Sequence, residues 1–118
     1  MKLEIVKINN RGDQTQEYVT LRVLEDANLE FCLLTDTTYT DDTHISNKLR
    51  HLYWFSQKAV KKGDFVWLYT GKGTNTSRGN DSQTTTHIFY WGLSQPIWNN
   101  NADCAVLFEV NAWQTRRS

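Results

Sequence analysis

The sequence predicts an all-β chain built as an antiparallel β-sandwich, and three observations carry that expectation. Short apolar runs recur along the chain with turn-forming residues between them. Sustained helical periodicity is confined to one doubtful stretch, so the strands lack the long crossovers that parallel pairing needs. Aromatic residues make up 13% of the chain and include five tryptophans, rings large enough to fill the space of roughly 10 Å between two stacked sheets. A length of 118 residues fits one domain spanning 1–118, with a core that needs no disulfide or metal staple.

Taken in order, Lys2 to Ile8 reads as a first strand closed by Asn-Asn-Arg-Gly-Asp at Asn9 to Asp13, residues that tolerate left-handed backbone angles. Glu17 to Leu24 alternates with period two: Val19, Leu21 and Val23 share one face, and Tyr18, Thr20 and Arg22 the other. Leu29 to Leu34 is the third run, ended by the polar stretch from Thr35 to Thr43. Asp41 to Leu52 could form a turn or two of helix behind an Asp cap, or equally a structured loop, since Ile45, Leu49 and Leu52 give little amphipathic support. His51 to Phe55 is the fourth strand, and Lys-Lys-Gly-Asp turns the chain into Phe65 to Tyr69. Thr86 to Trp91 and Asp103 to Val110 complete the set, the last expected to bury Cys104, Val106, Phe108 and Val110 on one side.

Composition narrows the function. Thirteen basic and thirteen acidic residues give a formal net charge of +0, which argues against nucleic acid or an anionic membrane as the dominant partner. Glu4 and Lys7 interrupt the start where a secretory signal needs an apolar run, so the chain as it stands is expected to be cytoplasmic, or secreted if a leader preceded it. Cys32 and Cys104 read as buried free thiols or, on the alternative, as an inter-sheet bridge of immunoglobulin type. Against the bridge, the position two before Cys104, where a tyrosine corner would stand, is Ala102.

No motif supplies a catalytic or cofactor site, and no enzyme activity, cofactor or metal is expected. Thr-Gly-Lys-Gly-Thr-Asn at Thr70 to Asn75 fails the phosphate-loop pattern, because Lys72 is followed by Gly73 and no helix comes after it. It reads instead as a tight loop in which Gly71 and Gly73 permit positive φ. Asp36, Asp41, Asp42 and His44 miss the calcium-loop spacing and read as a solvated acidic loop. His51 and His87 have no local zinc partners, and no nucleophile elbow is present. Arg11-Gly12-Asp13 reads as the turn its glycine demands rather than an adhesion motif.

The functional expectation therefore rests on rings. Adjacent strand positions face opposite ways, so one of Tyr53 and Trp54, one of Val66 and Trp67, and one of Tyr90 and Trp91 must leave the first core. If the outward rings align across strands they form a binding platform or an oligomer interface. Tyr53, Trp54, Trp67, Tyr90, Trp91 and Trp98 are the candidate partner-binding residues, Trp98 also having a reading as the hydrophobic plug before the last strand.

One succession is more specific. Thr-Gly-Lys-Gly-Thr-Asn-Thr (Thr70 to Thr76), Tyr-Trp-Gly (Tyr90 to Gly92) and Trp-Asn-Asn (Trp98 to Asn100) follow Glu-Tyr-Val-Thr-Leu (Glu17 to Leu21) and Lys-Lys-Gly-Asp-Phe-Val (Lys61 to Val66). That order resembles the lamin tail domain family in its bacterial form over nearly the whole chain. Phe31-Cys32 stands where the family usually carries Gly-Trp, and Ala102-Asp103 where it carries a Gly before the Asp. The resemblance implies an immunoglobulin-like sandwich of about seven to nine strands. It implies a non-catalytic recognition module whose partner is another protein or a second copy of itself. The alternative is a carbohydrate-binding module that uses exposed rings. Nucleic acid and membrane partners are not expected.

Overall fold

A computed structural model describes residues 1–118 and folds them into ten strands with no α-helix. The strands are β1 (Leu3–Asn9), β2 (Tyr18–Val23), β3 (Ala27–Asn28), β4 (Cys32–Thr38), β5 (His51–Trp54), β6 (Ala59–Val60), β7 (Phe65–Tyr69), β8 (Thr76–Gly79), β9 (Thr85–Tyr90) and β10 (Asp103–Glu109). A five-stranded sheet, β1-β2-β7-β9-β8, packs over a three-stranded sheet, β10-β4-β5, and the two-residue strands β3 and β6 pair at one end. The result is an all-β sandwich. No helix is long and apolar enough to cross a membrane.

The core forms where the inward faces meet. Val19, Leu21 and Val23 of β2 and Val66 and Leu68 of β7 are buried as their alternation predicts, opposite Leu34 of β4 and Phe55 just after β5. Trp98 and Ile97, on the segment between β9 and β10, close one end. Burial of each large apolar side chain there contributes about 1.5–3 kcal/mol.

A buried carboxylate binds three separate segments to that core. Glu17, with no exposed surface, accepts hydrogen bonds from the Gly12 amide at 3.0 Å, the Ile97 amide at 2.9 Å and the Thr70 hydroxyl. Gly12 reaches this geometry at φ +87°, which accounts for the glycine of Arg11-Gly12-Asp13.

Several expectations change. The strands β7 and β9 run parallel, so the larger sheet is mixed rather than wholly antiparallel. The cause is β8: its residues are all exposed and carry no apolar alternation, yet it takes the sheet edge, pairs antiparallel with β9, and leaves β9 parallel to β7. The segment 41–50 is a structured loop pinned by the bridge between Tyr39 and Ile45, with the Asp41 carboxylate accepting from the Thr43 and His44 amides. In β10 the inward residues are Ala105 and Leu107, while Phe108 is 40% exposed. Register decides this, because Leu107 sits beside inward-facing Leu34 and Tyr53, and Phe108 falls in the row of Leu33 and Trp54.

Gly71 and Gly73 do not have positive φ. They are glycines because of close approach: a Cβ on Gly73 would lie 2.3 Å from the Tyr90 ring, and one on Gly71 would lie 2.9 Å from the Gln14 carbonyl. Both cysteines are free and buried. They sit at opposite ends of the β4–β10 ladder, Cys32 beside Glu109 and Cys104 beside Thr37. Burial, with the Glu109 charge adding to it, pushes the Cys32 thiol up to about 11.

Candidate functional site

The outward-facing rings separate onto two surfaces. On the five-stranded sheet, register places Tyr18, Tyr69 and Tyr90 in one row, Thr20, Trp67 and Ile88 in the next, and Arg22, Phe65, Thr86 and Arg78 in the third. Tyr18 lies 4.7 Å from Trp67 and 4.7 Å from Tyr69, and Tyr69 stacks on Tyr90 at 5.2 Å with planes 13° apart. Arg78 covers Trp67 at 5.3 Å and Arg22 covers Phe65 at 5.7 Å. The backbone of Gly73 lies directly against Tyr90. Tyr69 and Tyr90 thus pack face to face, and the Trp67 and Phe65 rings are each covered by an arginine.

The outer face of β10-β4-β5 differs. Phe108, Leu33 and Trp54 form one row, and Val106, Thr35 and Leu52 the next. Leu52 is 53% exposed, Trp54 48% and Trp113 45%. Trp113, from the segment after β10, meets Trp54 edge-on at 5.1 Å and Phe31 at 5.4 Å. The Trp54 indole N–H donates to the Glu30 carbonyl at 2.7 Å, which fixes the orientation of its ring.

The candidate residues are thus divided. Trp67 and Tyr90 lie together on the larger sheet, and Trp54 alone of the set faces outward from the smaller one. Tyr53 points inward, its ring 5.0 Å from Phe55 and 6.5 Å from Phe89. Trp91, just past β9, packs against the core beside Tyr53 and His51. Trp98 is fully buried and is corrected from a binding residue to a core residue. Leu52, Phe108 and Trp113 complete the exposed apolar face, and none of the three is among the candidate binding residues. Leu52 and Trp54 share parity on β5, a signal that could have found the first of them.

A polar chain was also hidden from sequence. His87 of β9 contacts Asp64 through Nε2 at 2.9 Å and Ser77 of β8 through Nδ1 at 2.9 Å. Asp64 and His87 are each 5% exposed. Asp64 also accepts from the Lys61 amide at 2.9 Å and the Thr85 amide at 3.0 Å. Burial pushes the Asp64 carboxyl up, but the hydrogen bonds from His87, Lys61 and Thr85, with the charge of His87, outweigh it and hold the carboxyl below its ordinary value. A depressed carboxyl contributes stability that is complete above its unfolded value of about 3.9 and is lost as pH falls through its folded value. Asp64→Asn should therefore lower stability at neutral pH and flatten the acid limb of the stability profile below about pH 4, read by urea unfolding at successive pH values.

Asp36 is buried and accepts from the His51 amide at 2.8 Å, so it belongs to the sandwich and not to the solvated loop of Asp41 and Asp42. No family model matches the chain, and no curated protein matches it.

Proposed function

We propose that this chain is a recognition module of lamin-tail, immunoglobulin-like type that binds another protein chain through the outer face of β10-β4-β5. The observation that carries the reading is the exposed row of Trp54 and Phe108 with Leu52 and Trp113 around it. Taking aromatic side chains at about 150–250 Å² each, three half-exposed rings leave roughly 250–300 Å² of apolar surface. Leu52 brings the patch into the range of roughly 300–600 Å² that is the largest on a typical monomer and often functional. Tryptophan is enriched among interface anchors, and one held in a fixed orientation has little side-chain entropy left to lose on binding.

A carbohydrate site needs flat ring faces free for stacking. The rings of the larger sheet turn theirs toward each other, toward arginine and toward Gly73, so sugar recognition is the weaker reading.

A second copy of the chain is the first partner to test. Sedimentation velocity across a concentration series should show self-association that Leu52→Glu weakens at least tenfold, while Arg78→Ala on the other sheet leaves it unchanged. A monomer at all concentrations that binds glycans in a manner lost with Trp67→Ala would overturn the reading in favour of the carbohydrate alternative.

A further inference from the structure

Beyond recognition, and against the expectation of a non-catalytic chain, we propose that Ser77 is a nucleophile that takes the acyl group from short-chain carboxylic esters, with His87 as its general base. Three independent features of the geometry support this.

The first is the orientation of the imidazole. An ionised carboxylate is acceptor only, and Asp64 is fixed by two backbone amides so that its Oδ2 faces His87 Nε2 at 2.9 Å. That contact places the ring proton on Nε2 and leaves the lone pair of Nδ1 facing Ser77 Oγ at 2.9 Å. The tautomer is the one a general base needs, with a third group orienting the base. Here Nδ1 rather than Nε2 faces the hydroxyl, because Ser77 and His87 are direct cross-strand neighbours and Nδ1 is the ring nitrogen nearer the backbone.

The second is access. Asp64 and His87 are buried, whereas Ser77 lies on the edge strand β8 and is exposed. An exposed hydroxyl on a buried base can be reached first by an ester and then by the water that completes the reaction, and no other side chain bonds to the Ser77 hydroxyl.

The third is the cleft beside it. Ser56, Lys58, Asn75 and Phe89 join Ser77 around a hollow of about 240 Å³ between the β5–β6 connection and β8. Its size suits a short acyl chain. Lys58 is the one cationic side chain among the residues of its wall, and its charge is of the sign that opposes negative charge developing on a carbonyl oxygen.

The reaction balances without a cofactor. Ser77 Oγ attacks the ester carbonyl carbon, and its proton passes to Nδ1 of His87. The carbonyl oxygen carries the negative charge until the C–O bond to the alcohol breaks, and the alcohol leaves with the proton from His87. Water then attacks the acyl-serine by the same route, releasing the carboxylic acid and restoring Ser77.

The full chain treated with an alkyl fluorophosphonate should gain one adduct, the Oγ–P bond forming as fluoride leaves. Peptide mapping should place it on Ser77, at a rate at least about 100-fold above any other hydroxyl, the lower end of what a positioned general base supplies. Ser77→Ala should abolish the adduct. In Ser77→Cys, the introduced thiol should react with iodoacetamide faster than a free model thiol at the same pH. No adduct, adducts spread over tyrosines and other serines, or equal labelling of the Ser77→Ala chain would each overturn the proposal. So would an introduced thiol no faster than the model.

Discussion

Glu17→Ala is expected to remove about 3–5 kcal/mol of folding stability, a large share of the 5–15 kcal/mol typical of a domain. Glu17 has no exposed surface, and both of its oxygens are engaged. Truncation empties a buried site and strands the buried Ile97 amide, a donor that costs about 1–3 kcal/mol without a partner, while the Gly12 amide, on an exposed residue, loses less because water can reach it. The Thr70 hydroxyl can rotate toward another acceptor, so its share is smaller. Three segments meet at this carboxylate: the turn after β1, the end of β7 and the stretch before Trp98. Glu17→Gln keeps one acceptor but sets an amide N–H against a donor, and about half the loss is expected. Urea unfolding should show a lower midpoint with an unchanged slope. A loss below about 1 kcal/mol for the alanine variant would mean that water enters and satisfies the freed amides.

How far such features can be read in advance depends on whether they are local. Strand β2 was legible because Val19, Leu21 and Val23 alternate strictly with polar neighbours, and the structure buries those three. Strand β7 was legible for the same reason through Val66 and Leu68. Strand β8 was not, since Thr76 to Gly79 form an edge with both faces wet and carry only turn-like composition. Missing β8 also hid the parallel pairing of β7 with β9. The inward parity of β10 was misread because both parities are apolar, and only its register with Leu34 selects Leu107.

The candidate site was half legible by the same logic. That Trp54, Trp67 and Tyr90 point outward follows from one side chain per face along a strand. Which sheet each lands on, and whether its ring face is free, depends on tertiary neighbours such as Arg78 and Gly73. The Asp64, His87 and Ser77 chain joins the turn before β7 to strands β9 and β8, so no spacing in the sequence encodes it. Sequence does explain why Asp64 is available: Lys61 to Asp64 form the turn into β7, and the carboxylate folds back onto the Lys61 amide.

Trp98 gives the second large effect and separates packing from polarity. Trp98→Ala should cost about 3–5 kcal/mol, the usual range for emptying a large buried aromatic site. Its ring is wholly buried, yet the indole N–H has no hydrogen-bond partner. A donor in that state already works against the fold by about 1–3 kcal/mol. Trp98→Phe removes the unpaired donor along with part of the ring volume, so the two effects oppose, and a net loss near 1 kcal/mol is expected, well below that of alanine. The link from the Trp98 backbone to the first turn survives both changes, because the Arg11 side chain donates through Nε to the Trp98 carbonyl at 3.3 Å and through Nη2 to that of Asn100 at 2.8 Å. The difference between the phenylalanine and alanine variants in urea midpoint therefore reports ring packing alone. Equal losses in the two would mean that the indole N–H is satisfied in solution and that its hydrogen bond, rather than the ring's bulk, holds this end of the sandwich closed.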